Sequence, residues 1–115
     1  MQYHIPTNQE IAEKARALIL ADLSVYYSIP QLAKKVGTNP HTLKKVFYQM
    51  YGETLFEFSR RERMALAKQL LVDTNYTLQT IGELVGYSEG NNFQVAFKKV
   101  VGKTPGQFRK RIDSP

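Results

Sequence analysis

Apolar residues recur along the chain at three- and four-residue intervals, the spacing of a buried helical stripe. Ile11, Ala15, Leu18 and Ile19 predict a first helix over residues 8 to 21. Leu32, Ala33 and Val36 predict a second, with Pro30 in its first turn, where a missing N–H costs little, and Gly37 as its stop. Asn39 is placed to cap a third, with Pro40 at its first position. That helix turns Leu43, Val46, Phe47 and Met50 inward and ends at Gly52. A longer pattern over residues 55 to 73, carried by Leu55, Phe58, Met64, Ala67, Leu70 and Leu71, contains neither Gly nor Pro and reads as one connecting helix. Thr77 then caps a fifth helix with the stripe Leu78, Ile81, Leu84 and Val85 and a stop at Gly86. Phe93, Ala96, Phe97 and Val100 line a sixth, ending at Gly102. A short seventh starts at Pro105, capped by Thr104, and buries Phe108. The expectation is an all-α fold of seven helices.

The pattern repeats. Ser28, Leu32, Val36 and Gly37 recur as Thr77, Ile81, Val85 and Gly86, and Leu43, Phe47, Gly52, Thr54 and Phe58 recur as Phe93, Phe97, Gly102, Thr104 and Phe108. The offset grows by one between the two sets, so one residue is inserted between Gly86 and Phe93. Each copy is a helix, a tight turn and a second helix, which is the helix-turn-helix arrangement and also that of purely structural helical hairpins. The chain therefore divides into a first helix-turn-helix subdomain at 8–54, the connecting helix at 55–73 and a second subdomain at 74–111.

Charge separates these readings. The chain carries 16 Lys and Arg against 10 Asp and Glu, a net +6, and the excess lies beyond residue 27. A basic domain of this size is a candidate for a polyanionic partner. Opposite the buried stripe, the second helix of the first copy presents His41, Lys44, Lys45 and Tyr48, and that of the second presents Asn91, Gln94, Val95 and Lys98. Lys reaches guanine O6 and N7, Asn and Gln pair with adenine, and Val meets only a thymine methyl. Neither face contains an acid, although acids occur elsewhere in the chain. The connecting helix is about 28 Å long at 1.5 Å per residue, compatible with two readers in major-groove segments about 34 Å apart. Arg60, Arg61 and Arg63 on it, together with Tyr48 and Lys98, are candidates for phosphate contacts.

The stretch from Thr77 to Arg109 resembles the signature of the AraC/XylS family of bacterial transcription regulators. Its carriers are Ile81, Gly86, Tyr87, Phe93, Phe97, Lys98, Gly102, Thr104, Pro105, Phe108 and Arg109, and Arg61 to Leu71 resembles the family's connecting helix. The resemblance covers nearly all of residues 8 to 111. It implies sequence-specific duplex DNA binding through two recognition helices in consecutive major-groove segments. Base contacts would come from His41, Lys44, Lys45, Gly90, Asn91, Gln94 and Val95. It also admits RNA polymerase and a separate effector or dimerisation domain as partners, in the bacterial cytoplasm. Three positions depart from the family pattern: Val95 and Lys45 stand where Arg is usual, and Gly82 where Ala is usual. The second copy is therefore expected to read sequence weakly, or through thymine methyls and DNA shape.

Other classes find little support. There is no Cys, and the two histidines, His4 and His41, have neither nucleophile nor metal spacing, so no catalytic residue, metal or cofactor is assigned. No apolar run approaches the roughly 20 residues of a membrane span, and the N-terminus lacks a signal-peptide pattern. The alternatives are a helical-hairpin adaptor for another protein and an RNA-binding module. The latter would need exposed aromatics, for which Tyr26, Tyr27, Tyr48 and Tyr51 are available.

Overall fold

The structure, a computed structural model, describes residues 4–113, and among these the only regular elements are α-helices. They run α1 Asn8–Ala21, α2 Ile29–Val36, α3 Pro40–Tyr51, α4 Leu55–Asp73, α5 Leu78–Leu84, α6 Gly90–Val101 and α7 Pro105–Asp113. The chain forms two compact units, the first ending at Ser59 and the second starting at Arg60, so the division falls inside α4.

Local chemistry sets the helix ends. The Thr7 and Ser28 hydroxyls accept from the N–H groups of Glu10 and Gln31, whose side chains accept in return from the cap backbones. The Asn39 carboxamide accepts from Thr42 N at 2.9 Å at the start of α3. Thr54 with Glu57 and Thr104 with Gln107 make the same reciprocal pair at the starts of α4 and α7. Gly37, Gly52 and Gly102 follow α2, α3 and α6 in the left-handed region, where a side chain would be strained.

In the first unit, Ile11, Ala12, Ala15 and Ile19 of α1, Leu32, Ala33 and Val36 of α2, and Leu43, Val46 and Phe47 of α3 form one core with Leu55 and Phe58 of α4. In the second, Met64, Ala67 and Leu71 of α4 pack with Ile81, Val85, Phe93 and Phe97, and Leu78, Tyr87 and Phe108 close the cluster at its edge. Thus α4 contributes its first turn to one core and its later turns to the other. Ala12, Ala15 and Ile19 of α1 also share their spacing with Met64, Ala67 and Leu71, which extends the duplication to the helix that backs each copy. The inserted residue falls in the turn ahead of α6, because α3 and α6 are both 12 residues long and start at equivalent positions.

Three residues expected to face inward do not. Met50 and Val100 occupy equivalent places in the last turns of α3 and α6 and are 41% and 42% exposed. The helices α2 and α5 have only eight and seven residues, too short to cover those last turns. Leu84 is 41% exposed because the buried side of α5 runs through Leu78, Ile81, Gly82 and Val85, and Leu84 stands about 100° away from its centre. The repeat already carried that signal, since Leu84 corresponds to Lys35, an exposed residue of α2.

Candidate nucleic-acid interface

In α3, burial of Leu43, Val46 and Phe47 leaves the opposite side to His41, Lys44, Lys45 and Tyr48, all exposed, with Tyr48 at 56%. Two stops hold this helix in place. Gly37, in the left-handed region, donates its N–H to Lys34 O at 3.3 Å, and Thr38 donates to Ala33 O at 2.9 Å, turning the chain within three residues from α2 to α3. At the far end Gly52 donates to Tyr48 O at 2.8 Å. The Phe47 ring packs on Tyr51 of the same helix at a centroid distance of 4.8 Å and on Phe58 of α4 at 5.5 Å, and the contact with α4 fixes the rotation of α3 about its axis. The four polar residues singled out in the sequence are therefore brought together on one outward face.

The second copy is built alike but presents a different surface. Phe93 and Phe97 are fully buried, Val95 is 68% exposed, Lys98 is exposed and Gln94 is half-buried. Gly90 and Asn91 open α6, and the Asn91 side chain lies outside what the structure describes. The turn ahead of α6 is set by Gly86 at φ 92° and by the Tyr87 N–H, which donates to Gly82 O at 2.8 Å. Neither α3 nor α6 contains an acidic residue, and each carries a pair of lysines, Lys44 with Lys45 and Lys98 with Lys99. A phosphate backbone would meet no like charge from either helix.

The three arginines proposed for phosphate differ among themselves. Arg61 is exposed and pairs with Glu62 at 3.2 Å. Arg60 and Arg63 are half-buried, and the Arg63 guanidinium lies over the Tyr87 ring, 6.0 Å from its centroid. Burial pushes the Tyr87 phenol above its ordinary pKa, opposed by the positive charges of Arg63 and Arg60. Arg63 thus contributes to holding the α5–α6 turn, whatever else it meets.

Arg109 carries a role that periodicity alone did not reveal. Its guanidinium donates to three backbone oxygens ahead of α5: Leu71 O at 3.2 Å, Thr74 O at 3.2 Å and Tyr76 O at 2.7 Å. The planar fork spans a turn that would otherwise leave these carbonyls to solvent. The only hint in the sequence was its place in the Phe108-Arg109 pair of the family pattern.

A family model described as "Helix-turn-helix domain" matches residues 32–111. The arabinose operon regulatory protein of Escherichia coli is 30% identical over 108 residues, covering 92% of this chain and 36% of that protein. The chain thus spans little over a third of the length of this relative. Among solved structures, the C-terminal domain of AraT, a response regulator from Geobacillus stearothermophilus, is similar with a TM-score of 0.85 at 29% identity, covering 88% of this chain and 84% of that one. The DNA-binding domain of AdpA, a global transcriptional factor solved in complex with a target DNA, has a TM-score of 0.83 over 89% of this chain and 92% of that one. At 18% identity the AdpA likeness concerns the fold.

Proposed function

The chain belongs to the AraC-type family of helix-turn-helix domains, and from that premise we propose that it reads duplex DNA with α3 and α6 in consecutive major-groove segments, as the DNA-binding part of a bacterial transcription regulator. The observation that carries this reading is the outward face of α3, where His41, Lys44, Lys45 and Tyr48 stand together on an acid-free helix whose other side is locked in a core. Lys44 and Lys45 suit guanine O6 and N7, and His41, in the first turn, reaches a base edge or a flanking phosphate. In the second copy Gly90, Asn91, Gln94 and Val95 are the base-reading positions, with Val95 suited to a thymine methyl. Tyr48, Lys98, Arg60, Arg61 and Arg63 are assigned to phosphates, the arginines adding affinity without sequence preference. Lys45 is a point charge rather than a planar fork and Val95 carries no donor, so the first copy is the sharper reader. Such a role lies in the cytoplasm, and RNA polymerase and a separate effector or dimerisation domain are the further partners it brings. No catalytic step is assigned.

The test is selection from a library of randomised duplexes at near-physiological salt. The expected result is an asymmetric motif of two blocks about 10 base pairs apart, the better-defined block belonging to α3. Lys45→Ala should relax one base position there, by about 1–3 kcal/mol of discrimination. Arg61→Ala should instead weaken all sequences about equally. A protein-binding adaptor would show no enrichment and little salt dependence. A DNA reader with 6 to 10 phosphate contacts loses about a thousandfold or more in affinity between 50 and 200 mM salt. Preference for single-stranded RNA, abolished by changing Tyr48, would overturn the reading.

A further inference from the structure

The two reading helices differ in where their positive charge ends. The last turn of α6 carries Lys98 and Lys99, whereas the last turn of α3 holds no basic residue. Lys98, assigned to a phosphate, corresponds to Tyr48, and Lys99 to Gln49. A cation reaches the end of α3 from another helix instead. The Arg16 guanidinium of α1 lies over the ring of Tyr51, the final residue of α3, 5.8 Å from its centroid, and over that of Phe58 at 5.7 Å. Tyr51 is half-buried and Phe58 buried, so this seat is anchored in the core. Lys44, Tyr48 and Tyr51 follow one another at intervals of four and three residues, along one flank of the reading face. Arg16 therefore places its charge where that flank ends, about one turn beyond Tyr48. Arg16 is exposed, and among the described residues no carboxylate pairs with it. The carboxylate of Glu13, one turn earlier on α1, accepts from Gln9 at 2.9 Å. Rings hold a guanidinium without neutralising it, unlike the Glu62 carboxylate on Arg61. The duplication marks the arrangement as particular to the first unit. Arg16 corresponds to Lys68, but Tyr51 and Phe58 correspond to Val101 and Phe108, so only one ring of the seat has a counterpart.

We propose that Arg16 binds a DNA backbone phosphate beside α3, supplying from α1 the cation that α6 carries as Lys98. The proposal rests on the DNA-reading role of α3 and adds to its contact surface a helix outside the helix-turn-helix pair. A guanidinium already seated on two rings loses little freedom on meeting a phosphate, and its planar fork fits two phosphate oxygens. Such a contact is read through salt and not through sequence, because each phosphate neutralised releases counterions whatever the base beside it.

The test titrates the native chain, Arg16→Met and Arg16→Lys against the selected duplex and against the same duplex with both blocks scrambled, between 50 and 200 mM salt. Methionine keeps an unbranched side chain against the rings and removes the charge, whereas lysine keeps the charge. Thermal unfolding is followed in parallel. Arg16→Met should lose about tenfold in affinity at 50 mM salt and about threefold at 200 mM, a slope of log affinity against log salt shallower by about 0.9. The loss should be alike on the two duplexes, because a phosphate contact carries no sequence. Arg16→Lys should keep the native slope. A folded Arg16→Met with the native slope, a loss confined to the intact duplex, or a slope in Arg16→Lys as shallow as that of Arg16→Met would each overturn the proposal. Should Arg16→Met not fold, Arg16→Gln takes its place and is judged in the same way. A native chain that treats intact and scrambled duplexes alike overturns the DNA-reading role on which the proposal rests, before any variant is made.

Discussion

The segments ahead of the two helix-turn-helix pairs are closed in different ways. In the first unit a short local turn suffices, with Asp22 Oδ1 accepting from Ser24 N at 3.0 Å and from Ser24 Oγ at 2.5 Å. In the second, Thr74 Oγ1 donates to Leu70 O at 2.6 Å, and Arg109 reaches back from α7 to hold three carbonyls. The residue corresponding to Arg109 in the first unit is Ser59. The aromatic packing keeps one pair, Phe47 with Phe58 and Phe97 with Phe108, and diverges around it. Tyr87, Phe93, Phe97 and Phe108 form a chain of four rings in the second unit, each 5.6 to 6.0 Å from the next. In the first, Phe47 meets Tyr51 and Phe58, and Arg16 lies over both of those rings at 5.8 and 5.7 Å. The comparison teaches that duplication preserves the burial pattern and its central ring pair, which each copy needs, and leaves the turns and the flanking ring contacts to diverge, since several solutions close the same fold.

The largest effects should come from the shared core. Phe47→Ala and Phe97→Ala each remove a fully buried ring and should cost about 3–5 kcal/mol. Hydrogen exchange resolved by residue should show protection lost in the mutated unit first. Equal loss in both units would mean they unfold as one body and would break the comparison.

Next comes the clamp. Arg109→Ala should destabilise the second unit by about 2 kcal/mol, because three hydrogen bonds from a charged donor are lost at a partly exposed site. Ser59→Ala, its counterpart, should stay within about 0.5 kcal/mol. Urea unfolding of both variants checks the contrast, and equal costs would show that the arginine is not the difference between the units.

A smaller contrast lies at the starts of the reading helices. Asn39 caps α3, whereas the Glu89 side chain makes no cap hydrogen bond at α6 among the described residues. Asn39→Ala should cost about 1 kcal/mol, and Glu89→Asp, which shortens the side chain to capping length, should stabilise by up to about 1 kcal/mol. Opposite signs in thermal unfolding would sharpen the comparison.

The smallest effect concerns acid. The Glu10 carboxylate accepts from His4 at 2.7 Å, and from the backbone N–H of Thr7, and these hydrogen bonds hold it below the ordinary glutamate pKa of about 4.3. A pKa lowered in the folded state contributes stability that is present above the ordinary value and is lost as pH falls through the lowered one. Stability of the first unit should therefore decline below about pH 4.3, and Glu10→Gln should flatten that decline in a series of acid unfolding curves. An unchanged acid limb would assign the decline to Asp22, which the Ser24 hydroxyl and N–H also hold low.

The number of helices, their stops and most of their caps were legible along the chain, because a helix end is decided within four or five residues. Pro40 after Asn39, Gly52 after Tyr51 and Thr104 before Pro105 act on their own backbone whatever lies across from them. The outward face of α3 was legible for the same reason, since fixing Leu43, Val46 and Phe47 inward fixes His41, Lys44 and Lys45 outward. The last turns of α3 and α6 were not, because exposure of Met50 and Val100 depends on how far a neighbouring helix extends. Gly82 stands where Ala is usual, and only the fold shows that a Cβ there would come within 3.1 Å of the Phe93 Cβ. Arg109 is 38 residues from Leu71, and no local pattern could join them. Period, stops and caps are short-range chemistry and are written in sequence order. Coverage, close approach and clamping depend on which elements meet, and only the folded chain decides that.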